Sequence, residues 1–192
     1  MKTIAVDIDD TLNNFSEILR GKEFVYSASY PFSGEIFGKY LEMVRNEIGS
    51  KEDLCDPQFS YLRQRINGEC YENAEARADA VEFIQWLRNQ GWRIVICTHR
   101  DLRRTEEITR KWLGDNGIPF DYLFIAVDKL AFCKAWGIEY LLDDHLFSVK
   151  FADQYGVRVF YPIMAKHQKA QSGLARGFMH FDEVREWIQK PH

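Results

Sequence analysis

From about residue 75 to the end, apolar and polar positions repeat one unit: a short apolar run, a polar loop, an amphipathic stretch, then a glycine. Ala80, Val81, Phe83, Ile84 and Leu87 recur at helical spacing, and Gly91 follows as a stop. Arg93 to Cys97 reads as a strand. Thr105, Ile108, Trp112 and Leu113 mark the next helix, which Gly117 ends. Tyr122 to Val127 reads as a strand, Lys129 to Trp136 as a short helix closed by Gly137, and Glu139 to Leu142 as a strand. Val149 and Ala152 line a helix that stops at Gly156; Val157 to Tyr161 is a strand; a last helix carries Val184, Trp187 and Ile188. Thr3 to Val6 is a further strand ahead of all of these.

Strands that alternate with helices predict an α/β fold whose parallel sheet is covered on both faces. The strands are nearly continuous in apolar residues, as double-sided burial requires. In such sheets ligands bind beyond the carboxyl ends of the strands, so the residues after each strand carry the chemistry. Residues 13–74 break the rhythm. They hold polar helix-like stretches such as 36–48 and no apolar strand run, and read as a mostly helical insert. The expected organisation is a core of residues 1–12 and 75–192 with an insert at 13–74.

Composition narrows the function classes. Hydrophobic residues make up 46% of 192, enough for a sizeable core. The net charge of -4 and the lack of long like-charge runs give no broad footprint for nucleic acid or a membrane surface. The apolar stretch before Asp7 is too short for a signal peptide, and no run approaches the roughly 20 residues of a membrane span, so a cytoplasmic protein is expected. Cys55, Cys70, Cys97 and Cys133 form no CxxC pair, which argues against a zinc site or a redox dithiol. Cys97 and Cys133 read as buried small hydrophobes. Oligomeric state is not legible.

Four strand ends carry polar groups in a telling order. The first is followed by Asp7-Ile8-Asp9-Asp10-Thr11, the next by Thr98-His99-Arg100, then Asp128-Lys129, then Asp143-Asp144. This set suits phosphoryl transfer, which is mostly positioning and electrostatic stabilisation. A carboxylate nucleophile such as Asp7 is repelled by a phosphate dianion. A magnesium ion held between Asp7 and Asp143 removes that repulsion. Asp9 can protonate the leaving oxygen and later deprotonate water. Thr98 supplies a hydroxyl donor and Lys129 a point charge.

Alternatives stay open at several positions. Thr98 is otherwise a simple cap, and Lys129 a surface charge at a helix start, with Lys134 as its rival. Arg100 either clamps substrate or pairs with an acidic neighbour such as Asp101. His99 and His145 flank the expected site, whereas His167 belongs to no constellation and Lys166 to Lys169 reads as a solvated loop. Phe15, Phe24, Tyr26 and Tyr30 either line a base pocket or pack among the insert's own helices.

The four motifs together resemble the haloacid-dehalogenase superfamily. Val6 to Thr11 matches its first motif, Val95 to Thr98 its second, Lys129 its third and Tyr140 to Asp144 its fourth. The resemblance covers about residues 1–12 and 75–165. It implies a Rossmann-like sheet in the order 3-2-1-4-5, with Asp7 as nucleophile and Asp9 as acid and base. It implies magnesium held by Asp7, the Asp9 main-chain carbonyl and Asp143. Asp144 then either holds a magnesium-bound water or braces Lys129. An insert between the first two motifs would be a cap, and one of this size resembles that of the deoxyribonucleotidase group. The run Thr109 to Leu113 is instead similar to phage polynucleotide 3'-phosphatase domains. The resemblance implies a phosphomonoesterase acting on a small phosphorylated metabolite, nucleoside or deoxynucleoside monophosphates being the favoured class. The expected substrate-binding set is Thr98, His99, Arg100 and Lys129. A sugar-phosphate phosphatase and a non-catalytic phosphate-binding protein are the remaining alternatives.

Overall fold

The structure is a computed structural model that describes residues 1–19, 67–167 and 172–190. The expected helix over 36–48, the aromatics Phe24, Tyr26 and Tyr30, and Cys55 lie outside these residues. By its internal packing the chain divides into two compact units, one of Met1–Asn14 with Glu75–His192 and one of Phe15–Ala74. In the second unit, residues 15–19 and 67–73 are helical, and Phe15 stacks on Tyr71 with ring centroids 5.4 Å apart.

The first unit alternates strand and helix throughout. Its elements are β1 (Thr3–Val6), α1 (Ala78–Asn89), β2 (Arg93–Thr98), α2 (Leu102–Asp115), β3 (Tyr122–Ile125), α3 (Lys129–Trp136), β4 (Tyr140–Leu142), α4 (Leu146–Tyr155), β5 (Arg158–Pro162), β6 (Ala175–Phe178) and α5 (Phe181–Gln189). The strands form one sheet in the order β3-β2-β1-β4-β5-β6, and every neighbouring pair is parallel. The sheet thus has the expected order with one strand more, β6, which the sequence pattern did not announce.

Alternate residues of each strand feed two separate cores. Ile4, Val6, Ile94, Ile96 and Leu142 meet Phe83, Ile84 and Leu87 of α1 and Phe181, Val184 and Ile188 of α5. Ala5, Val95, Cys97, Leu141 and Val159 face the other way, onto Leu130 and Cys133 of α3 and Val149 and Ala152 of α4. Both faces being dry, neither strand parity can be polar, which explains the unbroken apolar runs. Cys97 and Cys133 are buried, unpaired thiols in the second core, and burial pushes Cys133 up to about 12. Gly137 and Gly156 close α3 and α4 in the left-handed region (φ 65° and 68°), where a side chain costs about 1 kcal/mol or more.

The insert leaves and rejoins this unit at one place. Asn13 bridges Ala76 in antiparallel fashion. The Asn14 amide donates to the Glu75 carbonyl at 3.2 Å, and the Glu75 amide donates to Asn14 Oδ1 at 2.8 Å.

Candidate active site

The central strands bring their carboxyl ends together, and the sheet ladder runs on into the site. The Asp7 amide donates to the Leu142 carbonyl at 2.8 Å, and the Asp143 amide to the Phe160 carbonyl at 3.1 Å. Both carboxylates therefore stand on backbone that the sheet holds rigid.

Lys129, the first residue of α3, reaches between them. Its Nζ lies 2.9 Å from Asp7 Oδ2 and 2.6 Å from Asp143 Oδ1, and all three groups are buried. Lys134 is exposed and lies over the Tyr155 ring, so the lysine at the site is Lys129. Asp128 caps α3 by accepting from the Ala131 amide at 2.8 Å, which fixes where that helix starts. Ser148 Oγ donates to Asp143 Oδ2.

The charges are unequal in consequence. Burial raises the Asp7 carboxyl well above its ordinary value; the Lys129 charge opposes this, and the neighbouring carboxylates add to it. Burial also acts against Asp143, but the charge and hydrogen bond of Lys129 and the Ser148 hydroxyl outweigh it and hold that carboxyl low. Burial would lower Lys129, yet Asp143 and Asp7 drive it upward, so it stays an ammonium.

Asp144 is also buried. Its amide donates to Thr11 Oγ1 at 3.1 Å, and Lys166 Nζ lies 2.7 Å from its Oδ2. His167 Nε2 donates to the Asp144 carbonyl at 2.7 Å, while its Nδ1 accepts from the Met164 amide at 3.2 Å. Lys166 is therefore not simply solvated, and His167 does belong to a constellation. Asp144 pairs with Lys166, and its charge also adds to those that hold Lys129 up.

Thr98 is fully buried, and its Oγ1 accepts from the Arg100 amide at 3.1 Å. That bond does not use the hydroxyl proton, which can still be donated. The exposed His99 donates from Nε2 to the Val127 carbonyl at 2.6 Å, and its ring meets that of His145 edge-on. Arg100 follows the pairing alternative, but its partner is Asp9 and not Asp101. Nε donates to Asp9 Oδ2 at 3.0 Å and a terminal nitrogen to Oδ1 at 2.6 Å. Asp101 is taken by Arg103 and Arg104.

Carboxylate oxygens of Asp7, Asp143 and Asp144 lie within 4.8 Å of one another. An all-oxygen, all-carboxylate donor set suits a hard divalent cation such as magnesium rather than a thiophilic metal. The Asp9 carboxylate is not part of this triad.

Sequence reasoning missed Ser148, Lys166, His167 and Thr109. The strand-end rule had the power to find Lys166 and His167, since they lie beyond the carboxyl end of β5 as His99 and Arg100 lie beyond that of β2.

Residues 1–143 match the family model of the haloacid dehalogenase-like hydrolases. The chain belongs to that family, and so is a hydrolase. Solved structures share the fold. A haloacid dehalogenase-like family protein from Streptococcus pneumoniae superposes with a TM-score of 0.67 at 12% identity, covering 98% of this chain and 99% of that one. A phosphatase of the same family from Thermococcus onnurineus gives 0.65 at 18% identity, with 98% of both chains covered. A magnesium-bound hydrolase from Bacillus subtilis gives 0.65 at 15%, covering 98% and 99%. A comparison with curated proteins finds no match.

Proposed function

We propose that this hydrolase is a magnesium-dependent phosphomonoesterase that works through an aspartyl-phosphate on Asp7. The observation that carries the reading is the buried Asp7–Lys129–Asp143 cluster, with Thr98 at the carboxyl end of β2 and Asp9 in the turn that follows β1. A carboxylate, an ammonium and a hydroxyl donor meet on rigid backbone, which is what transfer of a phosphoryl dianion requires. Relatives of the same fold include a phosphatase and a magnesium-bound protein, which supports both the reaction and the ion.

In the first step an Asp7 oxygen bonds to phosphorus as the bond to the leaving oxygen breaks, and Asp9 gives its proton to that oxygen. In the second, a water oxygen bonds to phosphorus, its proton returns to Asp9, and the Asp7–phosphorus bond breaks. Lys129 neutralises charge at Asp7, and the Thr98 hydroxyl donates to a phosphoryl oxygen. Asp7, Asp143 and Asp144 would hold the magnesium ion, with the Asp9 main-chain carbonyl as a further ligand; bound there, it supplies Lewis-acid polarisation of the phosphoryl group.

The favoured substrates are nucleoside or deoxynucleoside monophosphates, because residues 13–74 have the size of the deoxyribonucleotidase cap. The polynucleotide 3'-phosphatase reading gains little from 109–113. Thr109, Trp112 and Leu113 are buried, so their likeness to that group reflects packing rather than substrate contact.

Phosphate release from an aryl phosphate with magnesium, repeated with chelator, tests the reaction. Metal-dependent release is expected, and Asp7→Asn should abolish it. Absence of release with any divalent ion would overturn the reading. A panel of phosphorylated metabolites then ranks nucleotides against sugar phosphates.

A further inference from the structure

Arg100 is the largest fully buried side chain among the described residues. A buried guanidinium is costly unless its donors are met, so its partners reveal why it is there. Two donors form a fork on the Asp9 carboxylate at 3.0 and 2.6 Å. A third reaches Thr109 Oγ1 of α2 at 3.2 Å, and the indole of Trp112 lies 5.9 Å from the guanidinium carbon. The same residue's amide donates to Thr98 Oγ1. Arg100 thus ties the β1 loop to the β2 loop through two groups of the site.

Asp9 needs such a tie. It stands past the end of the β1 ladder, in a turn whose next residue, Asp10, has a φ of 58°. The other side-chain contact to its carboxylate is a longer one from Asn13 Nδ2, at 3.2 Å. The Arg100 side chain has 0% of its surface exposed and that of Asp9 21%, so the carboxylate and not the guanidinium faces outward.

We propose that Arg100 is a positioning residue for Asp9, holding the carboxyl group where it meets first the leaving oxygen and then the attacking water, without touching substrate. This rests on the phosphomonoesterase reading given above. A displacement of about 1 Å in a reacting group costs on the order of 100-fold. Lysine keeps the charge but not the fork.

A double-mutant cycle tests the assignment with wild type, Asp9→Asn, Arg100→Gln and the double variant. The substrates are an aryl phosphate whose leaving group needs no proton and an alkyl phosphate whose leaving group does. Arg100→Gln should mimic Asp9→Asn: a fast first-turnover burst with the aryl ester, slow turnover after it, and a loss on the order of 100-fold with the alkyl ester. In the Asp9→Asn background it should cost nothing further, because its effect passes through Asp9. The dissociation constant for substrate should hold steady, with KM for the aryl ester falling along with turnover, and Arg100→Lys should fall between. Losses that add in the double variant, a rise in KM alone, equal loss of burst and turnover, or unchanged kinetics would each overturn the proposal. If thermal melts show Arg100→Gln unfolded, the cycle runs on Arg100→Lys with the same criteria. An inactive wild type instead sinks the phosphomonoesterase reading and this inference with it, a failure distinct from additivity in an active enzyme.

Discussion

Asp7 stands where ionisation is expensive, and that gives it opposite effects on stability and on chemistry. Burial raises its carboxyl well above the ordinary value of about 3.9 despite Lys129 beside it. A raised folded-state value means that full stability holds in acid, below that ordinary value, and is lost as pH rises through the folded value. An amide at this position escapes that cost. Metal-free Asp7→Asn should therefore melt with the wild type near pH 4 and above it at neutral pH, and added magnesium should narrow the gap by stabilising the wild type. Thermal melts in chelator at the two pH values check this; a variant that melts lower at neutral pH would contradict it. At this scale the sequence was informative where residues follow strands directly. Asp7, Thr98, Lys129 and Asp143 were all legible that way, and the structure gathers their side chains at one end of the sheet. The Arg100–Asp9 fork was not, because its ends lie 91 positions apart and Asp101 next door offered a local partner. Lys166 and His167 were hidden by a loop whose polarity reads as solvation.

Among the elements, those bounded by glycine and packed on both faces were read almost to their ends. β6 was not, and its composition explains why. Its four residues are Ala175, Arg176, Gly177 and Phe178, of which only Phe178 is buried, so no apolar run marks it. What holds it is tertiary: pairing with β5, and Asp153 accepting from the Gly173 and Leu174 amides at 2.8 and 2.7 Å. Gly177 lies opposite Tyr161, and a Cβ there would come within 2.8 Å of Ile163 Cγ1 and 3.0 Å of Tyr161 Cε2. Glycine is thus required for space. Gly177→Ala should cost about 1–3 kcal/mol, read as a lower urea midpoint with little change in slope. An unchanged midpoint would mean that the β5–β6 edge yields freely.

Taken whole, the molecule is two compact units on one chain, and no described helix is long and apolar enough to cross a membrane. The α/β class and sheet order were legible because the repeat of strand and helix spans most of the chain. The extent of the insert was less so, since Asn13 and Asn14 look like loop and yet pair with Ala76 and Glu75 on the core. Residues facing each other in an antiparallel pair are only about 5 Å apart, a gap that a short turn closes. A chain in which a few glycines and serines replace residues 15–74 should therefore keep the core's helix and strand content by circular dichroism and melt in one cooperative step. Loss of that transition would show that the core depends on the segment removed.

Because departure and return share one antiparallel pair, the length of what hangs there matters little to the sheet. Loop-closure cost grows logarithmically, by about 0.6 kcal/mol for each doubling. Drift, duplication or wholesale replacement between Asn14 and Glu75 can proceed while Asp7, Lys129 and Asp143 keep their register. A lineage carrying this seam is able to inherit its chemistry intact and renegotiate everything else.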